Sequence, residues 1–140
     1  MKSAYLSFVI VLLTACGVAM SNQDRLDRAE EALSAGDYRA AIVDAKAVLR
    51  DEPGNARGRV VLGRASAATG DGATAEKELR RAIELGVTSE KVLVPLSLGL
   101  LQQGKFEEIL EEEPEESAFS AGDWIQIMLI RGDALLGLGK

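Results

Sequence analysis

Apolar residues along this chain recur at three- and four-residue spacing, and glycine-containing turns interrupt them at a constant interval. Gly36-Asp37 is followed by Gly70-Asp71 and then by Gly104-Lys105, so consecutive turns lie 34 residues apart. Three- and four-residue spacing places side chains on one face of an α-helix. A helix–turn–helix unit that repeats at this interval is typical of a solenoid of stacked helix pairs. The sequence therefore predicts an all-α solenoid of antiparallel helix pairs.

The first predicted helix pair spans residues 22–55. We expect Ser21 to cap its first helix, with Asp24 completing a capping box. Gly36 is expected to end that helix in the left-handed conformation, and Asp37 to cap the second helix. The apolar stripe of the second helix consists of Tyr38, Ala41, Ile42, Ala45, Val48 and Leu49.

The second predicted pair spans residues 56–89 and repeats this design. Asp71 is expected to cap its second helix, and Leu85-Gly86 to close that helix. Gly72 stands where the first pair has a tyrosine, which we expect to loosen the turn. Small residues precede each turn glycine by seven positions and should let neighbouring helices approach closely; they are Ala29, Gly63 and Ser97.

The third predicted unit, residues 90–120, departs from the pattern. Pro95 lies inside the apolar run Val92–Leu98 and should kink the helix or delay its start. After Gly104, the second helix has only Ile109 and Leu110 as an apolar patch, which predicts a short, frayed helix.

An acidic run, Glu107–Glu116, follows in the third unit. From Glu107 to Asp123 the chain carries eight acidic residues and no basic one. Such a run serves either as a site for cations or a basic partner, or as a hydrated loop. Because adjacent like charges repel and stay hydrated, the loop is the preferred interpretation.

The last segment, residues 121–140, reads as the first helix of a fourth unit. Gly132 stands at the position that holds a small residue in the earlier units, and the next turn should begin at Gly139-Lys140. The apolar residues of this helix are Trp124, Ile127, Met128, Ile130, Leu135 and Leu136. A terminal repeat needs a polar outer face, and this helix is too apolar for that role. We therefore expect either further repeats after Lys140 or a partner that covers the helix, and prefer the former.

The N-terminus has the pattern of a secretory signal over residues 1–15. Lys2 precedes a short apolar run, Ala4–Leu13, and small residues follow. The tetrad Leu13-Thr14-Ala15-Cys16 resembles the lipobox of bacterial lipoproteins. That resemblance implies acylation of Cys16, removal of the residues before it, and a lipidated tether over residues 16–21. The alternatives are an uncleaved anchor from Ala4 to Met20, or a free cysteine in an ordinary signal.

The residue after the cysteine is Gly17 rather than aspartate. In Gram-negative lipoproteins an aspartate there tends to mean retention at the inner membrane. The resemblance therefore implies a lipid anchor in the outer membrane, with the protein on its periplasmic face.

Composition limits the chemistry that this chain can perform. Apolar residues make up 47% and aromatic residues 4%, which suits closely packed helices. The net charge of −6 argues against a nucleic-acid partner. The chain has no histidine and one cysteine, which excludes Cys/His zinc sites, histidine-assisted nucleophiles and an internal disulfide. We expect no enzyme, no cofactor and no small-molecule substrate. A hydrolase with paired carboxylates would need two acids in a concave site, whereas the acids here lie in a loop or on outward faces.

The first unit resembles the tetratricopeptide repeat. The residues at its characteristic positions are Ala29, Gly36, Tyr38, Ala41, Leu49 and Pro53, although Arg25 replaces the usual aromatic. Taken together with the lipobox, the sequence segments 36–42, 75–82 and 131–136 are similar to the N-terminal part of the tetratricopeptide-repeat lipoproteins of the PEP-CTERM/exosortase system. That family implies a long periplasmic array on an outer-membrane lipid anchor, linked to exopolysaccharide production and protein sorting.

The resemblance implies a concave groove lined by the first helix of each pair, which suits a protein or an extended peptide. The groove residues by register are Arg57, Val60, Arg64, Lys91, Val94 and Leu98. The alternative is that these side chains are solvated or buried against a neighbouring helix. Neither Asn22 nor Asn55 lies in this groove, which argues against the dicarboxylate clamp of chaperone-binding relatives. We predict a lipid-anchored protein-interaction scaffold; the alternative is a structural subunit of an outer-membrane assembly or secretion complex.

Overall fold

The computed structural model describes residues 20–140, which form seven α-helices and no β-strand. The helices are α1 (Asn22–Ser34), α2 (Tyr38–Asp51), α3 (Ala56–Ala68), α4 (Gly72–Glu84), α5 (Leu93–Gln102), α6 (Phe106–Glu111) and α7 (Ala121–Gly137). Short 3₁₀ turns lie at Ser89–Lys91 and Glu116–Ala118. The predicted signal peptide and Cys16 lie outside the described residues. The all-α fold class is confirmed.

Polar side chains cap the start of five of the seven described helices, and three of these caps are the predicted ones. The Asp24 backbone N–H donates to the Ser21 hydroxyl at 3.1 Å, and the Ser21 N–H donates to the Asp24 carboxylate at 3.3 Å. Asp37 and Asp71 cap α2 and α4, each accepting from the backbone N–H three residues on at 3.1 Å. Each cap satisfies an N–H group that has no partner within its helix. All three predicted caps are confirmed.

Glycines in the left-handed region form the turns between paired helices. Gly36, Gly70 and Gly104 have φ angles of 79°, 84° and 71°. This conformation is unfavourable for residues that carry a side chain. In each turn the next residue's N–H donates to the carbonyl five residues earlier, at 2.8 to 3.0 Å. This is the Schellman arrangement that ends a helix. The predicted turn spacing therefore has a common hydrogen-bonded structure.

Short turns fold each helix back along its predecessor, so α1 pairs with α2 and α3 with α4. The pairs stack because α2 packs on α3 and α4 packs on α5. The helices α1, α3, α5 and α7 also contact one another in succession. This is the predicted helical solenoid, with α1, α3, α5 and α7 forming one wall.

The core runs along the stack in two apolar clusters. The first joins α1, α2 and α3 through Leu26, Ala29, Ala41, Ala45, Val48, Val61, Leu62 and Ala65. The second joins α4 to α7 through Leu79, Val92, Leu96, Leu100, Ile109, Ile130 and Ala134. Burying one large aliphatic side chain contributes about 1.5–3 kcal/mol. Each helix is therefore held mainly by the neighbours it stacks against.

Two glycines allow helices to approach closely. A Cβ atom on Gly63 of α3 would lie 2.5 Å from Leu79 Cγ of α4, so this position requires the smallest residue. A Cβ atom on Gly72 would lie 2.4 Å from the backbone oxygen of Gly99 in α5. The expectation that Gly72 loosens its turn is wrong, because Gly72 is buried where α4 and α5 nearly touch.

Helix α5 begins late, as Pro95 predicts. The interval of 34 residues from Ala56 would start this helix at residue 90, whereas α5 begins at Leu93 after a 3₁₀ turn. Pro95 then occupies the first helical turn, where backbone N–H groups have no partner within the helix. The proline therefore removes no internal hydrogen bond.

Helix α6 has only six residues, which confirms that the second helix of the third unit is short. Arg131 of α7 donates from Nη1 to the carbonyl oxygens of Ile109 and Glu112, at 2.9 and 2.6 Å. A cation at the carboxyl end of a helix is favourable because carbonyl oxygens there lack partners. Arg131 thus supports the end of a helix that ends early.

Helix α7 buries one face and exposes an apolar one. Ile127, Ile130 and Ala134 are buried, whereas Met128, Leu135 and Leu136 are exposed. Gly132 does not receive a neighbouring helix, because a Cβ atom there would meet no atom within 4 Å. The expected close approach at Gly132 is therefore not made by any part of residues 20–140.

Candidate partner-binding groove

An open cavity of about 500 Å³ lies against the wall formed by α1, α3, α5 and α7. Its position follows from the stacking, because successive first helices contact one another along this side. The lining residues are Leu33, Tyr38, Arg64, Ala67, Ala68, Glu90, Lys91, Val94, Pro95, Leu98, Asp123 and Gln126. Both aliphatic and charged side chains line the cavity, so it suits a ligand with both kinds of group.

The six residues predicted for the groove fall into two neighbouring cavities. Four of them line the larger cavity: Arg64, Lys91, Val94 and Leu98. Arg57, Val60 and Lys91 line a second cavity of about 320 Å³, together with Glu30 and Val87. Lys91 belongs to both cavities. We call these two cavities together the groove.

The cations of the groove differ in what they contact. Arg57 Nη2 lies 2.8 Å from Glu30 and 3.3 Å from Asp27 in α1. The hydrogen bond to Glu30 raises the pKa of Arg57, against a smaller opposing effect of burial. Arg64 and Lys91 are exposed and have no ion-pair partner among residues 20–140. Their charges remain available to a ligand.

The groove also contains residues that the sequence did not single out. Tyr38 was predicted in the apolar stripe of α2, but its side chain is 36% exposed and lines the larger cavity beside Leu33. Glu90, Asp123 and Gln126 add two carboxylates and an amide. The sequence offers one local indication that Tyr38 lies in the groove. Tyr38 directly follows the Gly36-Asp37 turn, and that turn places it beside the wall formed by α1, α3, α5 and α7.

The acidic run is mostly a solvated surface. Within Glu107–Glu116, Glu108 is the exception, since it lies 2.5 Å from Arg80 of α4 and 3.6 Å from Lys105. The other glutamates of the run are exposed. No group of three or more acidic, cysteine or histidine residues within residues 20–140 is arranged to hold a metal ion. These contacts favour the hydrated-loop interpretation.

Lys105 connects the acidic helix α6 to α4. Its Nζ lies 2.8 Å from a carboxylate oxygen of Glu76, which also accepts from Arg80 and Gln103. Burial raises the pKa of Glu76, but hydrogen bonds from Lys105, Gln103 and Arg80 together outweigh it and leave the pKa below its usual value. This network is structural, because its charges are paired within α4 and between α4 and the start of α6.

Comparison with known proteins identifies the repeat. The sequence model of the tetratricopeptide repeat matches residues 32–92, which run from the end of α1 to the start of α5. No curated protein and no solved structure matches the chain. Among the helices of residues 20–140, none has the length and apolar character needed to cross a bilayer.

The match and the helix pairs agree on architecture. Repeats of this kind generally bind proteins or peptides, and their all-helical folds are typically non-catalytic scaffolds. Residues 32–92 therefore match the tetratricopeptide repeat, and residues 20–140 as a whole form an all-α helical solenoid that is consistent with this repeat.

Proposed function

We propose that this protein is a lipid-anchored scaffold that holds an extended segment of a partner protein in its groove. One observation carries the proposal: a tetratricopeptide-repeat wall encloses a cavity of about 500 Å³ lined by both aliphatic and charged side chains. Extended peptides bind such surfaces through alternate side-chain pockets and polar backbone contacts. The proposed role includes no catalytic step and no small-molecule substrate.

The lining defines the chemistry of the bound segment. Val94 and Leu98 are half-buried and offer apolar contact area. Arg64 and Lys91 offer positive charges beside them, and neither forms an ion pair within residues 20–140. A segment that carries an acidic side chain near aliphatic ones complements this surface, because charge complementarity sets register and specificity.

The anchor part of the proposal rests on the sequence before α1. The tetrad ending at Cys16 resembles a lipobox, and α1 begins six residues later at Asn22. Acylation of Cys16 would tether the solenoid to the outer membrane on the periplasmic side, since more than one acyl chain gives stable anchoring. A role in exopolysaccharide production and PEP-CTERM protein sorting rests on the family resemblance of the sequence.

A pair of double variants tests the groove. Arg64→Glu with Lys91→Glu reverses both of these groove cations, and Arg39→Glu with Lys46→Glu makes the same change of charge at exposed positions of α2 that line neither cavity. The partner is first identified by cross-linking to the wild-type protein in cells and is then titrated with each purified variant. We expect the groove variant to bind at least about tenfold more weakly, the change that 1.4 kcal/mol produces.

The control variant should bind as the wild type does. Equal affinity of both variants would contradict a binding groove and favour a structural subunit of an envelope complex. Equal loss in both would show that net charge, rather than the groove, governs binding.

A further inference from the structure

The smaller cavity of the groove offers an apolar surface to a ligand. Two charged residues line it without lining the larger cavity, Glu30 and Arg57, and they form an ion pair at 2.8 Å. Its uncharged lining residues are Ala56, Val60, Gly86, Val87 and Thr88. The charges that belong to this cavity alone are therefore satisfied within the protein. We call it the apolar cavity.

The apolar cavity lies where the chain between α4 and α5 runs beside α3. This link spans residues 85–92, whereas the link between α2 and α3 spans only residues 52–55. The late start of α5 leaves the segment 86–88 next to the first turns of α3, since both line the cavity. Val60 and Val87 line it from the two sides, and each is half-buried. The cavity is thus a feature of this junction and not of the 34-residue period.

The apolar cavity has room for one large apolar side chain. Its volume is about 320 Å³, and an engineered cavity of about 150 Å³ already holds benzene. A leucine, methionine or phenylalanine side chain gains free energy when it moves from water into such a site. A charged side chain would find no free partner in Arg57, which already lies 2.8 Å from Glu30 and 3.3 Å from Asp27.

Two cations that form no ion pair within residues 20–140 lie beside the apolar cavity. Lys91 lines both cavities, and Arg64 lines the larger one. Val60 and Arg64 are four residues apart in α3, so they share one face and lie about 6 Å apart along the helix axis. In an extended segment, side chains two positions apart point to the same side and are about 6.6 Å apart. An extended segment that runs along α3 therefore places two such side chains over Val60 and Arg64.

We propose that the groove selects a segment in which one large apolar residue lies two positions from an acidic residue. The apolar side chain fills the apolar cavity against Val60 and Val87, and the carboxylate pairs with Arg64 and Lys91. This inference rests on the proposed function, because it names the sequence pattern of the segment that the groove holds. Ala56 and Val60 then determine specificity for the apolar residue.

A random nonapeptide library displayed on phage provides the probe. The purified full chain, kept in detergent, is the target, and the enriched peptides are sequenced. We expect leucine, methionine or phenylalanine to recur two positions from aspartate or glutamate.

One enriched peptide is then synthesised and titrated by fluorescence anisotropy beside two matched peptides. The first has an extra serine between the apolar and acidic residues, and the second has serine in place of the apolar residue. Each change should weaken binding at least about tenfold, because burial of a large apolar side chain contributes that much or more.

A pair of variants assigns the apolar preference to the apolar cavity. Ala56→Leu fills the cavity from α3, and Ala73→Leu makes the same change at an exposed position of α4 that lines neither cavity. Circular dichroism checks that both variants keep the helix content of the wild type. We expect Ala56→Leu to bind the enriched peptide as weakly as the peptide with serine in place of the apolar residue. Ala73→Leu should distinguish the two peptides as the wild type does.

The outcomes separate this inference from the proposed function. Enriched peptides without the two-position spacing, or equal affinity for the peptide with the extra serine, would overturn the inference and leave a peptide-binding groove. An Ala56→Leu variant that still prefers the apolar peptide would do the same. Enrichment of no peptide would contradict the proposed function, and the inference with it.

Discussion

Gly63 of α3 and Leu79 of α4 lie so close that a Cβ atom on the glycine would be 2.5 Å from Leu79 Cγ. Leu79 is fully buried and belongs to the second apolar cluster, so it cannot turn toward solvent. The pair fixes how near two helices of one repeat approach. The same register position in α7, Gly132, has no neighbour within 4 Å of its Cβ direction.

These two glycines give a matched pair of substitutions. Gly63→Ala should lower the free energy of unfolding by about 1–2 kcal/mol, because overpacking outweighs the better helix propensity of alanine. Gly132→Ala should raise the free energy of unfolding by about 0.5–1 kcal/mol, because alanine has the better helix propensity and its Cβ atom meets no neighbour there. Urea unfolding followed by circular dichroism measures both. Changes of the same sign would show that the repeat register is wrong.

Glu78 and Arg59 form an ion pair between α3 and α4 in which both side chains are largely buried, 6% and 15% exposed. Glu78→Gln leaves the Arg59 charge without its carboxylate and should cost about 2–3 kcal/mol of unfolding free energy. Glu108 pairs with Arg80 at a more exposed site, and Glu108→Gln should cost less than about 1 kcal/mol. Chemical denaturation of the two variants measures both losses of unfolding free energy. Equal losses would contradict the claim that the buried ion pair contributes more than the exposed one.

Asp44 makes stability depend on acid pH. Arg28 donates to its two carboxylate oxygens at 2.6 and 2.5 Å, which holds the pKa of Asp44 below its usual value although burial opposes the shift. The pair therefore stabilises the fold above the unfolded pKa of about 3.9, and this contribution is lost as pH falls through the folded pKa.

The measurement is the difference in unfolding free energy between wild type and Asp44→Asn at several pH values. We expect the wild type to be the more stable near neutral pH and the difference to shrink below about pH 4. A difference that stays constant down to the lowest pH would show that the ion pair is not its source.

The turns and caps could be predicted from sequence because they depend on local geometry. Gly36 and Gly70 adopt a φ that favours glycine, and the aspartate after each caps the next helix. The delay at Pro95 has the same local origin. In each case the residue type and its immediate neighbours determine the backbone.

The ion pairs and polar contacts between helices were not predictable in this way. Asp44 and Glu78 are 34 residues apart, yet their arginine partners, Arg28 and Arg59, are 31 apart, so the pairing changes between repeats. The support that Arg131 gives to α6 depends on how α7 packs. Which residue a side chain contacts on another helix depends on how the helices pack, and the periodicity of the sequence does not determine that.

Cys16→Ser tests the proposed anchor. If Cys16 is acylated, the variant should leave the membrane fraction and lose incorporation of labelled fatty acid, because its attachment site is gone. Cell fractionation and the intact mass of the wild-type chain measure both effects. A variant that stays in membranes with residues 1–15 attached would favour the uncleaved anchor instead.

The most direct test of the groove is site-specific photocross-linking in cells. A photoreactive phenylalanine derivative replaces Leu98, which lines the larger cavity, and in a separate protein replaces Val43, an exposed residue of α2 outside it. We expect Leu98 to give one discrete cross-linked partner, which Arg64→Glu with Lys91→Glu abolishes, and Val43 to give none. A partner captured at Val43 but not at Leu98 would contradict the proposed groove.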